Sequence, residues 1–249
     1  LGVEEEDVSK QIEVLSDSNR LIQRSLELVL EKLKQAITER DVATIALSGG
    51  STPKPLYAAL AQQDLPWEKL QIFWGDERYV PHDHPDSNAR MARQAWLDQV
   101  PIPAANIHPI PTDETDPATA AARYDRELRE FFNLNRSEIP HIDVMLLGMG
   151  DDGHTASLFP HTDALQVCDR LVTVGNKDGQ PRITMTVPII NESRNILFIV
   201  AGENKQAALA QIFAPDPDTS TYPASLIHPE YGELWWLLDQ AAGANLPPS

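Results

Sequence analysis

The chain has 249 residues, 37 acidic and 20 basic, for a formal net charge of −17. Such a surface repels nucleic acid and anionic membranes, and no apolar stretch approaches the roughly 20 residues that cross a bilayer. Cys168 is the only cysteine, which excludes an intrachain disulfide and a paired-cysteine metal site. With 42% hydrophobic residues and no low-complexity tract, the length suits a single domain over 1–249. Residues 1–10, LGVEEEDVSK, are acidic and lack the charged-then-apolar order of a secretion signal. A cytoplasmic protein without nucleic-acid or membrane partners is expected. An anionic ligand would be repelled at long range, so a site for one must gather Arg, Lys and backbone amides locally.

Ile22, Leu26, Val29, Leu33 and Ile37 recur at spacings of three and four, which predicts an amphipathic helix from about Ser18 to Glu39. VATIALS at 42–48 is β-branched and nearly all apolar, the pattern of a strand buried on both faces. Thr52 and Pro53 open a helix carrying Leu56, Tyr57 and Leu60. LQIFW at 70–74 is a second buried strand, and a helix follows from Ser87. The proline-rich stretch from Val100 to Pro117 reads as a packed connection with a short strand at Asn106–Ile110. Asp116 then caps a helix begun by Pro117 and striped by Ala121, Tyr124, Leu128 and Phe131. IDVMLLG at 142–148 is a third buried strand, and further strands start at 171, 182, 195 and 233, with a helix from Glu203. Trp235 and Trp236 lie in an apolar run and read as core. This alternation predicts an α/β fold: an open, mostly parallel, Rossmann-like sheet with helices on both faces.

In such sheets ligands bind outside the C-terminal ends of the strands. Three buried strands end in polar loops, which parallel pairing would bring to one rim. The first, SGGSTP, places Ser48, Gly49, Gly50, Ser51 and Thr52 before a helix, where backbone N–H groups can cradle a phosphate or simply make a capped turn. It is neither a Walker A loop nor a dinucleotide fingerprint. Lys54 is close enough in sequence to join such a site. The second loop holds Asp76, Glu77 and Arg78, then His82 and His84. Arg78 can grip a phosphate or pair with its acidic neighbours; the two histidines lack a third ligand at a recognisable spacing, so no metal is expected.

The third loop, GMGDDGHTASLFP, crowds Asp152 and His154 among glycines. His154 can act as a general base with Asp152 orienting it, or it can stand exposed beside a helix capped by Thr155. Thr155 and Ser157 are candidate nucleophiles, but no GxSxG elbow or Ser-His-Asp order supports them. Lys205 follows a strand end and can reach the same rim. Arg182 begins a strand, which in a parallel sheet would face the opposite rim.

The segments ALSGGSTPKPLY, FWGDERYVPHDHPDSN, LLGMGDDGHTASLFPH, PRITMTVPIIN and AGENK, in that order, resemble the 6-phosphogluconolactonases. The resemblance covers about Ile45 to Lys205 and implies a fold shared with the glucosamine-6-phosphate deaminases. It implies cofactor-free hydrolysis of a sugar-phosphate lactone, 6-phosphoglucono-1,5-lactone, to 6-phosphogluconate in the oxidative pentose phosphate pathway. By the same resemblance Ser48, Gly49, Gly50, Ser51 and Thr52 hold the phosphate, with charge from Arg78 and Lys205. His154 activates water, and Asp76 and Asp152 position it. Arg182 matches the family's PRIT-like stretch, and it can reach the rim only if its strand runs antiparallel or its loop folds back. The deaminases carry a Glu five residues after the histidine, where this chain has Phe159. A deaminase or isomerase, with Asp76 as base, is therefore the second reading. A sugar-phosphate sensor is the third; it would usually carry a DNA-binding module, for which the stretch before Ser18 has no room. A monomer, or at most a weak homodimer, is expected.

Overall fold

In the computed structural model, which describes residues 10–246, the chain runs through β1 (Lys10–Leu15), α1 (Ser18–Arg40), β2 (Ala43–Leu47), α2 (Lys54–Leu60), β3 (Leu70–Trp74), β4 (Asp76–Arg78) and α3 (Asn88–Ala95). It continues through α4 (Pro117–Phe131), β5 (Val144–Leu147), β6 (Val172–Lys177), β7 (Gln180–Met185), α5 (Val187–Asn191), β8 (Asn195–Val200), α6 (Gln206–Ile212), β9 (Glu233–Asp239) and α7 (Gln240–Gly243). The acidic segment 1–9 lies outside the described residues.

Caps set the long helices. The Asp17 side chain accepts from the Arg20 N–H ahead of α1, and Asp116 accepts from the Thr119 N–H ahead of α4. The buried stripe of α1 is turned from the expected one: Leu21, Ser25, Leu28 and Lys32 join Val29 and Leu33. Lys32 is tolerated there because its ammonium meets Glu233 at 2.8 Å.

Six strands pair in parallel in the order β1-β9-β8-β5-β2-β3. Every residue of β2 and β5 is buried, so both faces of the sheet are covered. Trp236 stacks on Phe198 at 3.8 Å inside one continuous core. Each fully buried Leu or Ile there contributes about 1.5–3 kcal/mol relative to exposure.

Two expectations need correction. The strands at 171 and 182 do not join this sheet; β6 and β7 form an antiparallel hairpin, and β4 completes a separate sheet in the order β4-β7-β6. The hairpin closes through Asp178 and Gly179, both with positive φ (53° and 84°), the primed-turn geometry that suits tight hairpins. Gly75 joins the two sheets. Its N–H donates to Leu47 O in the large sheet and its carbonyl accepts from Met185 N in the small one. The expected strand at Asn106–Ile110 reduces to a single bridge between Ile107 and Ile72, because Ala104–Asn106 turns as a 3-10 helix.

Candidate active site

The C-terminal ends of β2, β3, β5 and β8 open on one rim, where a cleft of about 290 Å³ is bounded on its far side by the small sheet. Ser48, Gly49, Gly50, Ser51, Thr52, Asp76, Arg78, His154, Arg182 and Lys205 all line it, so the structure brings together every expected site residue except Asp152, which stands behind His154. Lys54 is exposed and does not line the cleft.

The glycine-rich loop leaves β2 pinned by Tyr57 of α2. The Tyr57 hydroxyl donates to Ser48 O at 2.7 Å and accepts from Ser48 N–H at 3.0 Å, while burial pushes its phenol up. Beyond that anchor, the N–H groups of Gly49, Gly50, Ser51 and Thr52 donate to no acceptor among the described residues. Gly50 has φ of 93°, a conformation open to glycine at no steric cost. Four consecutive free amides at a helix entrance are able to cradle an anion.

Glu77 explains why Arg78 is available. Its buried carboxylate turns away from the guanidinium and accepts from the Asn88 and Ala89 N–H groups at the start of α3, and from the Ser87 hydroxyl. Burial raises its affinity for a proton, against which the hydrogen bonds from Asn88, Ala89 and Arg78 N–H work. Arg78 Nη1 donates to Asp86 O at 2.7 Å. Directly across the β4–β7 ladder stands Arg182. Burial, then the Arg78 charge, lowers the proton affinity of the Arg182 guanidinium, with Asp76, Glu77 and Asp86 opposing. Among the described residues neither arginine forms an ion pair, nor do Lys205 and Lys177. Four cations thus converge on the cleft without carboxylate partners.

Arg182 reaches the rim because β7 runs antiparallel, which reverses the direction expected of a strand in the large sheet. Lys177 went unread in the sequence, although Asp178-Gly179 after it marks a hairpin turn that would have placed it at a tip. Asn88 was unread as well; it lines the cleft and donates to Asp76 O at 3.0 Å.

His154 sits in a chain of turns, and no helix follows Thr155, whose hydroxyl instead donates to Gly148 O at 2.9 Å. Nδ1 of His154 meets Asp152 Oδ1 at 2.5 Å, and the ring packs on Phe159 at 4.5 Å. A proton on Nδ1 shared with the carboxylate leaves Nε2 as a free acceptor. Burial pushes the Asp152 carboxyl up, but the hydrogen bond and charge of His154, aided by Lys177, hold it down at about 2. Gly150 is required by this packing: a Cβ there would lie 2.1 Å from His154 Nδ1.

Ser157 donates to Asp76 Oδ2 at 2.6 Å, and both are buried. Among the described residues no histidine contacts Ser157 Oγ, so it lacks the imidazole base of a serine–histidine nucleophile. His84 Nδ1 accepts from Asp86 N–H in a local turn, and no cluster of three His, Cys, Asp or Glu able to hold a metal occurs among the described residues. The cleft can bind a compact polyanion and present an imidazole nitrogen to it.

Comparison with known proteins bears on this geometry. Residues 16–236 match the family model described as glucosamine-6-phosphate isomerases/6-phosphogluconolactonase. The chain is 62% identical to a 6-phosphogluconolactonase from Nostoc sp. over 96% of its own length and 99% of the relative. It is 61% identical to one from Synechocystis sp., covering 97% and 100%. Among solved structures, 6-phosphogluconolactonase from Trypanosoma brucei superposes with a TM-score of 0.84 at 29% identity, over 97% of this chain and 100% of that one. A monomeric glucosamine-6-phosphate deaminase shares the fold at a TM-score of 0.77 and 19% identity, over 94% and 99%.

Proposed function

The chain belongs to the family of glucosamine-6-phosphate isomerases and 6-phosphogluconolactonases, and on that premise we propose that it hydrolyses 6-phosphoglucono-1,5-lactone with His154 as general base. The four unpartnered amides of Gly49–Thr52, with Arg78, Arg182 and Lys205, hold the phosphate dianion. His154 Nε2 takes a proton from water as the water oxygen attacks the lactone carbonyl carbon. The tetrahedral intermediate collapses with cleavage of the ring C–O bond, and the imidazolium returns its proton to the departing ring oxygen. Asp152 holds the Nδ1 tautomer and offsets the imidazolium charge. Asp76, tied to Ser157 through Oδ2 and lining the cleft, acts as a positioning group.

The observation that carries this reading is the placement of one oriented imidazole in the same cleft as four free amides and unpaired cations. Nothing in the route asks for a cofactor. Deamination or isomerisation asks for an acid after the histidine, and the side chain packed there is Phe159.

The test is lactone disappearance, with fresh substrate generated in situ, against the spontaneous rate. Wild type accelerates it, and His154→Ala loses about 10²–10⁴-fold, the range for a general base. An unaccelerated rate sinks the activity; a His154→Ala chain as fast as wild type sinks the base. EDTA leaves the rate unchanged, and a loss would revive a metal at His82 and His84.

A further inference from the structure

Three of the four cleft cations have a clear anion to meet. Arg78 and Arg182 face each other across the β4–β7 ladder, and Lys205 follows the end of β8 on the rim that carries the free amides. Lys177 shares the face of the β6–β7 hairpin with Arg182, two residues beyond Gly175, which pairs with Arg182, and its own contacts point to the histidine. It is the last residue of β6 at the hairpin tip, and its ammonium lies over the Phe159 ring, 5.6 Å from the centroid. That ring packs in turn on His154 at 4.5 Å. Its charge also acts on Asp152, the partner of His154. Lys177 therefore marks the end of the cleft where the base works, and it is exposed and without a carboxylate partner among the described residues.

The substrate assigned above is bipolar. A phosphate dianion sits at one end; at the other is a carbonyl that becomes an oxyanion during attack and a carboxylate in the product. The first charge is present throughout, and the second develops only as the reaction proceeds. Resting on the lactonase reading, we infer that Lys177 is a catalytic residue whose ammonium receives the lactone carbonyl oxygen as it becomes an oxyanion. As water adds to the carbonyl carbon, the π electron pair moves onto that oxygen and the water proton goes to His154 Nε2. Lys177 transfers no proton. It stabilises the oxyanion by charge and hydrogen bonding until the ring C–O bond breaks and the carbonyl re-forms, and it then faces the product carboxylate. A cation placed where negative charge develops acts on the transition state more than on the ground state.

The hairpin supplies the aim. Gly175, two residues before Lys177, is pressed against the Ser157 carbonyl, where a Cβ would stand 2.3 Å away, so β6 lies directly on the loop that follows His154.

Two variants test the assignment: Lys177→Met, which keeps the aliphatic stem on Phe159, and Lys177→Arg, which keeps the charge. Lactone hydrolysis gives kcat and KM, and calorimetry gives the affinities of 6-phosphogluconate and inorganic phosphate. Lys177→Met is expected to lower kcat about 100-fold, the lower end for a lost oxyanion donor because this one is exposed. Its KM and inorganic phosphate affinity stay within about twofold, 6-phosphogluconate binds about tenfold more weakly, and Lys177→Arg recovers most of kcat. An unchanged kcat overturns the proposal. So does a parallel loss of phosphate and 6-phosphogluconate affinity, which would return Lys177 to the phosphate site. A wild type that does not accelerate lactone hydrolysis defeats the underlying reading instead. In that case the two affinities still judge Lys177 by whether it favours the carboxylate.

Discussion

At His154 the proposed chemistry rests on a pair. Asp152 is held at about 2 by the imidazole beside it, against an ordinary 3.8. A carboxylate so held accepts the Nδ1 proton of His154 and fixes which ring nitrogen faces the cleft. Asp152→Asn removes that carboxylate acceptor while keeping the size of the side chain. The rate at the plateau falls by about 10–100-fold, because the amide no longer selects the productive tautomer. An unchanged plateau rate would show that Asp152 does not position the base. Linkage gives a second sign. A carboxyl depressed on folding contributes stability above about pH 3.8 and loses it as pH falls toward 2. Wild type and Asp152→Asn should accordingly converge in melting temperature across that window, by a small amount because Asp152 is half exposed.

One element pair, β4 against β7, sets two arginines side by side with no acid between them. Like charges directly opposite on an antiparallel pair destabilise it, and a bound phosphate reverses the sign of that contact. Arg182→Ala is therefore expected to leave the ligand-free melting temperature unchanged or slightly higher while weakening inorganic phosphate binding at least tenfold, as expected for a charge-assisted hydrogen bond worth about 1.5–3 kcal/mol. A melting temperature several degrees lower would identify Arg182 as a structural residue. The same pairing explains what was legible in the sequence. His154, Asp152 and the Ser48–Thr52 loop could be read because each follows directly on a buried strand of the large sheet, where chemistry and local pattern coincide. Arg182 could be placed only through the resemblance, and Lys177 not at all, because both depend on the chain leaving that sheet at Gly75 and on a hairpin returning antiparallel, and long-range pairing of that kind leaves little trace in local periodicity; Asn88 depends on α3 packing against β4. The three-residue β4 was too short to stand out. β1, with Val14 exposed and Leu15 only partly buried, gains its strand identity from the partner β9.

The whole molecule places a site for a polyanion on a chain of net charge −17. Long-range repulsion fades beyond the roughly 8–10 Å Debye length of physiological salt, whereas the cleft acts at contact distance with amides from the large sheet and cations from both sheets. A ligand held as proposed would bridge the two sheets, which are also joined by backbone at Gly75, by the Ser157 hydrogen bonds to Thr184 and Asp76, and by core packing. If 6-phosphogluconate engages Arg182 and Lys177 as well as the glycine-rich loop, the 172–185 hairpin cannot open without releasing it. Amide hydrogen exchange in the hairpin is then slowed by the factor 1 + [L]/Kd, about 100-fold at a hundred times Kd. The overall melting temperature should rise by roughly 5–10 °C, since about 2.7 kcal/mol of linkage shifts a chain of this size by about 2–4 °C per kcal/mol. Hydrogen exchange separates this arrangement from a ligand seated on the large sheet alone. In that case protection would grow around the 48–54 loop while the hairpin kept its ligand-free rate, and the two-sheet site would have to be abandoned.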